Sequence, residues 1–207
     1  MNIAVFASGQ GTNFSAIARA IKKEKIKANL SLLVCDNPKA KVLGKAKRAG
    51  VKVVLVERKD FAAKRDFENK IIGHLREEKI DLIVLAGFMR ILSPQFVQEY
   101  KGRIINIHPA LLPSFKGREA IKDAFDSGVK LTGVSVHFVD EETDHGPVIL
   151  QAAVKVEEGD SLAILAAKIH KIEHKLYPQA IRLFVEDKLR IEGRKVRIST
   201  PLEKTDF

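Results

Sequence analysis

Cysteine is almost absent from this chain of 207 residues: Cys35 stands alone, in the apolar run Leu32-Leu-Val-Cys35. One thiol cannot close an internal disulfide, so a reducing, cytoplasmic compartment is expected and the residue reads as a small buried hydrophobe. No apolar run approaches the roughly 20 residues that span a bilayer as a helix, so no membrane partner is expected. The opening Met1-Asn-Ile-Ala-Val-Phe-Ala lacks a basic n-region and reads as a core strand, not a signal peptide. Repeats, low-complexity blocks and linkers are missing as well, which leaves one domain over 1–207 with a sizeable core. Metal ligands are sparse. His170 and His174 share one helical face, but the H-E-x-x-H order and a partner cluster of cysteines or carboxylates are lacking, so no metal is expected.

Positive charge is what the chain has in excess, with a formal net charge of +10. The lysines and arginines are spread over helical stretches such as Lys22-Lys23-Glu24-Lys25 and Lys45-Ala-Lys-Arg48. A spread charge is a solvated surface or an attraction for small anions, and nucleic acid is not the expected partner.

Apolar runs alternate with amphipathic stretches. Asn2–Ala7, Leu30–Cys35, Lys52–Val56, Asp81–Leu85 and Arg103–Ile107 read as strands. Phe14–Lys22, Lys39–Ala49, Phe61–Glu78 and Pro94–Tyr100 read as the helices between them. In the third, Phe67, Ile71, Ile72 and Leu75 recur at helical spacing. This alternation predicts an α/β fold with a doubly wound, mostly parallel sheet and helices on both faces. Past Gly117 the pattern changes. Val134–Val139 and Val148–Val156 are β-rich around a polar loop, a long helix over Ser161–Leu183 has Asp160 or Ser161 as its N-cap, and Leu189–Ile198 reads as a hairpin. The C-terminal strands are therefore expected to be partly antiparallel.

Four segments carry candidate chemistry. Ser8-Gly-Gln-Gly-Thr-Asn13 joins the first strand to the first helix. Glycines let backbone amides approach a ligand, and a helix N-terminus favours an anion. Phe14 stands where a dinucleotide loop has its third glycine, which favours a single phosphate. In Leu85-Ala-Gly-Phe-Met-Arg-Ile-Leu-Ser-Pro94, Met89, Ile91 and Leu92 are apolar where a loop is normally polar. They fit a ring-shaped ligand or, more simply, core under a short helix. The run Arg103-Ile-Ile-Asn-Ile ends in Asn106-Ile-His-Pro-Ala-Leu-Leu-Pro113, so a buried strand delivers Asn106 and His108 to a sheet rim. Asp144, in Asp140-Glu-Glu-Thr-Asp-His-Gly-Pro147, adds a carboxylate that is either a solvated loop acid or a partner for an imidazole. An amide donor, an imidazole and a carboxylate are the parts of an acyl-transfer site.

Together with Gly133-Val-Ser-Val-His-Phe-Val139, Asp144-His-Gly-Pro-Val-Ile-Leu-Gln151 and Glu173-His-Lys-Leu-Tyr-Pro178, these segments stand in the order found in one family. The chain resembles the folate-dependent phosphoribosylglycinamide formyltransferases of purine synthesis, over about Met1 to Ile198. The resemblance implies a Rossmann-like formyltransferase fold, with a nucleotide-substrate half about 1–100, a folate and catalytic half about 101–198, and a loose tail 199–207. It implies Asn106, His108 and Asp144 as the catalytic group. Gly11, Thr12 and Asn13 would hold the substrate phosphate, and His170, Lys171, Ile172 and Glu173 the rest of that substrate. Lys64, Met89, Arg90, Ile91, Leu92, Asn106, Asp140, Glu141, Glu142, Thr143 and Asp144 would cradle 10-formyltetrahydrofolate, the co-substrate. A cis Leu112–Pro113 bond is implied too.

Three positions depart from the family pattern. Lys64, with Arg65 beside it, stands where an arginine is usual, Ala110 replaces a serine, and Phe115-Lys116-Gly117 replaces a Pro-Gly ending. Direct formyl transfer would need only the two small-molecule substrates, with the chain a monomer or homodimer. The relatives that formylate methionyl-tRNA carry a second, RNA-contacting domain, and the formyltetrahydrofolate hydrolases an extra N-terminal one; a chain of this length is expected to have neither. Hydrolysis of the formyl-folate is the alternative within enzymes. A nucleotide- or RNA-binding module using the basic surface is the alternative outside them.

Overall fold

The computed structural model describes residues 1–199, and the expected tail at 200–207 lies outside them. Nine strands and six α-helices are formed among the described residues. They fall into two compact units, Met1–Ile105 and a second beginning at Asn106.

The first unit alternates strand and helix: β1 (Asn2–Phe6), α1 (Thr12–Lys22), β2 (Asn29–Cys35), α2 (Val42–Arg48), β3 (Lys52–Leu55), α3 (Lys64–Glu77), β4 (Leu82–Leu85) and α4 (Pro94–Glu99). β1 pairs in parallel with β2 on one side and β4 on the other, and β2 pairs in parallel with β3. The order β3-β2-β1-β4 therefore reverses at β1, and the loops leaving β1 and β4 are neighbours at that switch. Ile3, Val5, Phe6, Leu33, Val34, Ile83 and Val84 have no exposed surface, which explains the near-continuous apolar runs: a parallel sheet is covered on both faces. β5 (Ile104–His108) straddles the division between the units.

The second unit contains α5 (Ala120–Asp126), β6 (Leu131–Phe138), β7 (Val148–Lys155), α6 (Leu162–Val185), β8 (Leu189–Glu192) and β9 (Lys195–Ile198). β6 and β7 are antiparallel, β8 and β9 form the expected hairpin about Gly193, and β9 meets β7 in parallel at Val148↔Lys195. Ser161 caps α6 by accepting a hydrogen bond from the Ile164 amide. No helix among the described residues is long and apolar enough to cross a membrane.

Several boundaries differ from expectation for local reasons. α1 starts at Thr12 because Gly11 takes the left-handed conformation (φ 68°) and caps it. α2 starts at Val42 because the Asn37 side chain accepts from the Lys39 amide and holds a turn there. α3 starts at Lys64 because Phe61 and Ala63 are extended. α5, where the residues predict no element, has no side-chain cap and is only seven residues long. At the end of the hairpin, the Ser199 amide donates to the Lys188 carbonyl, so this first residue of the expected tail is tied down.

Candidate active site

In the first unit the loop after β1 is shaped by backbone crowding. A Cβ on Gly11 would lie 2.5 Å from the Val42 side chain, and its φ of 68° is left-handed, so glycine is required on both counts. Because Gly11 is the N-cap, α1 has no side-chain cap and no acid in its first turn, leaving its positive end to an anion. Thr12 is exposed and Asn13 is buried. Lys45 of α2, not among the residues expected at the site, donates to the Gly11 carbonyl (3.3 Å) and brings a cation to the loop.

A buried network joins this loop to the one after β4. The Ser8 hydroxyl donates to Asp36 Oδ1 (2.5 Å) and accepts from the Met89 amide (2.9 Å). The other Asp36 oxygen accepts from Arg90 Nε (2.6 Å), so the arginine is held by this buried carboxylate. Met89 and Ile91 are 52% and 62% exposed while Leu92 is buried, so the simpler reading of all three as core fails. Their exposure leaves an apolar rim of the kind that takes a ring. Lys64 Nζ lies 3.8 Å from the buried Glu68, whose carboxylate also accepts from the Ser93 amide. Arg65 projects outward beside Asp66.

The second unit brings Asn106, His108 and Asp144 together. Asn106 Nδ2 lies 3.4 Å from Asp144 Oδ1, and His108 Nδ1 lies 3.4 Å from Asp144 Oδ2. Asp144 Oδ2 also accepts from the Gly117 amide at 2.9 Å. The carboxylate side chain is 10% exposed and the imidazole 4%, so Asp144 is no solvated loop acid. His108 Nε2 donates to the Phe115 carbonyl (2.7 Å). Each ring nitrogen of His108 thus faces an acceptor, an arrangement suited to an imidazolium. Phe115 and Asp144 both have positive φ, 51° and 49°, and such backbone strain concentrates at functional sites.

His137, absent from the residues expected at the site, is its inner wall. Its Nδ1 donates to the Phe138 carbonyl (2.8 Å), leaving Nε2 to accept from Asn106 Nδ2 (3.3 Å). Burial pushes its pKa below the ordinary 6.5, against smaller raising effects from that hydrogen bond and from Asp144, so the ring stays neutral and remains an acceptor. Both hydrogens of the Asn106 amide are therefore directed. The loop after His108 contains the expected cis Leu112–Pro113 bond. It is braced by Ser135, whose hydroxyl donates to the Ala110 carbonyl and accepts from the Leu112 amide and Gln151. Alternation along β6 and β7 marks Ser135, His137 and Gln151 only as polar interruptions, which is why the residues alone did not single them out.

On α6, His170 Nδ1 donates to Glu173 Oε2 (2.9 Å), and Glu173 is only 5% exposed. That hydrogen bond raises the His170 pKa above 6.5. Lys171 is exposed and Ile172 half-buried. Among the described residues, no group of three or more His, Cys, Asp or Glu side chains is placed to hold a metal ion.

The α/β scaffold and the family it belongs to are identified by comparison with known proteins. The chain belongs to the formyl transferase family, whose model matches residues 1–181 and ends before the β8–β9 hairpin. More particularly, it is similar to phosphoribosylglycinamide formyltransferases. It is 47% identical over 179 residues to that of Bacillus subtilis (strain 168), covering 86% of this chain and 92% of the relative. The crystal structure of glycinamide ribonucleotide transformylase 1 from Symbiobacterium toebii superimposes with a TM-score of 0.93 at 41% identity, covering 96% of this chain and 93% of that one. A formyltetrahydrofolate deformylase from Pseudomonas syringae pv. tomato str. DC3000 superimposes with a TM-score of 0.89 at 24% identity, covering 95% of this chain and 65% of that one, and shares the fold alone.

Proposed function

We propose that this protein transfers the formyl group of 10-formyltetrahydrofolate to the amine of 5-phosphoribosylglycinamide, in purine biosynthesis. The observation that carries the reading is the meeting of Asn106, His108 and Asp144 in one part-buried cluster, in a chain 47% identical over 179 residues to the phosphoribosylglycinamide formyltransferase of Bacillus subtilis.

The amine attacks the formyl carbon, and the carbonyl oxygen becomes an oxyanion. Asn106 Nδ2 turns to it the hydrogen that otherwise makes the long 3.4 Å contact with Asp144, keeping the other on His137, and His108, which gives up the Phe115 carbonyl, donates as well. The oxyanion collapses to a carbonyl as the bond from the formyl carbon to N10 breaks; His108 gives its proton to N10 and takes the proton of the attacking amine in return. Asp144 stabilises the charged imidazole. Neutral His137 fixes the amide's orientation.

Backbone amides at Gly11, Thr12 and Asn13, with Lys45 beside them, would hold the phosphate. The stretch His170 to Glu173 would hold the remainder of the acceptor, chiefly through the Glu173 carboxylate. Met89 to Leu92 and Asp140 to Asp144 would hold the folate ring, the first through its exposed apolar side chains. The Arg90 side chain, already paired with Asp36, would act through that network. Lys64 would attract the anionic folate tail.

The test is tetrahydrofolate release from 10-formyltetrahydrofolate with and without 5-phosphoribosylglycinamide. Release that depends on the acceptor supports transfer. Release at the same rate without it makes the protein a hydrolase.

A further inference from the structure

The loop that bears Asp144 is held from outside by the C-terminal hairpin, through a side chain that no step of the reaction uses. The loop joins β6 to β7. Its base is closed where the Phe138 amide donates to the Pro147 carbonyl (2.9 Å). There Gly146 lies so close to β6 that an added Cβ would sit 1.9 Å from the Phe138 carbonyl oxygen. Its tip is organised by Asp140, whose Oδ1 accepts from the Glu142 amide (3.1 Å) and whose Oδ2 accepts from His145 Nδ1 (2.7 Å). Because β9 meets β7 at Val148↔Lys195, the hairpin turn is carried to the side of this loop.

Arg194, in that turn, grips both the backbone and the ring of His145. Nη2 donates to the His145 carbonyl (2.8 Å) and Nη1 donates to Nε2 of its ring (2.7 Å). The same Nη1 also lies 3.3 Å from Nδ1, so the guanidinium bears on both ring nitrogens. The imidazole is thereby held between Asp140 and Arg194. Its neighbour in the chain is Asp144, held at a φ of 49° with its carboxylate on Asn106, His108 and Gly117.

We propose that Arg194 is a positioning residue for the formyl-folate half-site: through His145 it holds the 140–144 backbone, and with it Asp144, in the conformation that binds the folate and serves His108. The inference rests on the roles proposed above for Asp140–Asp144. Arg194 touches neither substrate, and its effect reaches the chemistry only through the loop.

The experiment compares Arg194→Leu, Arg194→Lys, His145→Ala and the double variant Arg194→Leu/His145→Ala with the parent protein. Arg197→Leu, which loses a charge from the same hairpin but pairs with Glu192, is the control. Two readouts are taken: steady-state constants for each substrate, and amide hydrogen exchange of residues 140–146. Arg194→Leu should raise KM for 10-formyltetrahydrofolate and lower kcat, together about fivefold to tenfold in kcat/KM, with KM for the acceptor unchanged. This is the size expected for the loss of two partly exposed hydrogen bonds. Exchange in 140–146 should quicken by a similar factor, Arg194→Lys should recover part of both effects, and Arg197→Leu should resemble the parent. In the His145→Ala background, Arg194→Leu should add little, because the two act as one unit.

Unchanged exchange in Arg194→Leu overturns the proposal. So does quicker exchange with unchanged folate constants, or fully additive losses in the double variant. An inactive parent protein would instead refute the proposed function, and the exchange measurement would still decide whether the clamp exists.

Discussion

Replacing Asp144 with asparagine removes one charge and leaves the side chain's size. The buried site makes that change severe. Asp144 accepts from the Gly117 amide at 2.9 Å, and Asn106 Nδ2 lies 3.4 Å from its other oxygen. An asparagine has one oxygen, so in either orientation its NH2 group must face one of these two donors. The electrostatic loss is larger. Unit charges at the 3.4 Å between His108 and Asp144 attract by about 5 kcal/mol at an effective dielectric of about 20, an upper figure for a pair with some exposure. Loss of one donor to a developing oxyanion costs about 2.7–4 kcal/mol. The second range corresponds to a fall in kcat of about 100- to 1,000-fold, within the upper limit of several thousand-fold that the electrostatic figure sets. Tetrahydrofolate release, followed at saturating folate with the acceptor varied, should show that fall in kcat with KM for the acceptor changed only slightly. His108→Ala should be similarly impaired, and the double variant far less damaged than the product of the single effects, since residues acting as one unit are non-additive. Near-parent turnover in Asp144→Asn, or fully multiplicative losses, would refute the coupling of carboxylate and imidazole.

Further outcomes follow from the geometry. Gly11→Ala forces a Cβ against Val42 in a left-handed conformation; strain of about 1–3 kcal/mol should lower the melting temperature by several degrees and raise KM for the phosphorylated acceptor, with KM for the folate little changed. Ser8→Ala removes the acceptor of the Met89 amide and the donor to Asp36; unpaired buried groups cost about 1–3 kcal/mol, so melting should fall and the folate should bind more weakly. In an NMR titration, His170 should take its proton above pH 6.5 and His137 should remain neutral below it, and Glu173→Gln should bring His170 back toward 6.5. The consequences for stability have opposite signs: the His170–Glu173 pair contributes at low pH and is lost as pH rises through the raised pKa. His137, by contrast, withholds a proton that the unfolded chain binds, so its share of stability is lost as pH falls below 6.5.

The strands and most helices are legible in the residues because a covered parallel sheet demands unbroken apolar runs, and β1, β2, β4 and β5 all show them. Boundaries fail where a single polar contact decides them, as at Asn37 before α2, or where an element is short and uncapped, as α5. Asn106 and His108 are legible because a buried strand ending in polar residues and prolines is unusual. Asp144 is readable as a candidate, but only the folded loop shows that it meets them. His137 and Ser135 look like ordinary strand residues until β6 is placed, and Arg194 like any surface arginine until β9 is paired with β7. Such partners are set by register, which residue types along one segment do not encode.

Direct passage of the formyl carbon to the glycinamide amine at Asn106, His108 and Asp144 can be followed with an isotope. The most direct measurement gives the parent protein 10-formyltetrahydrofolate labelled in its formyl carbon, adds 5-phosphoribosylglycinamide, and follows the label by mass spectrometry. Label should enter the formylated ribonucleotide, one for each tetrahydrofolate formed, with none appearing as formate and with transfer nearly abolished in His108→Ala. Label recovered as formate, or undiminished transfer in His108→Ala, would contradict it.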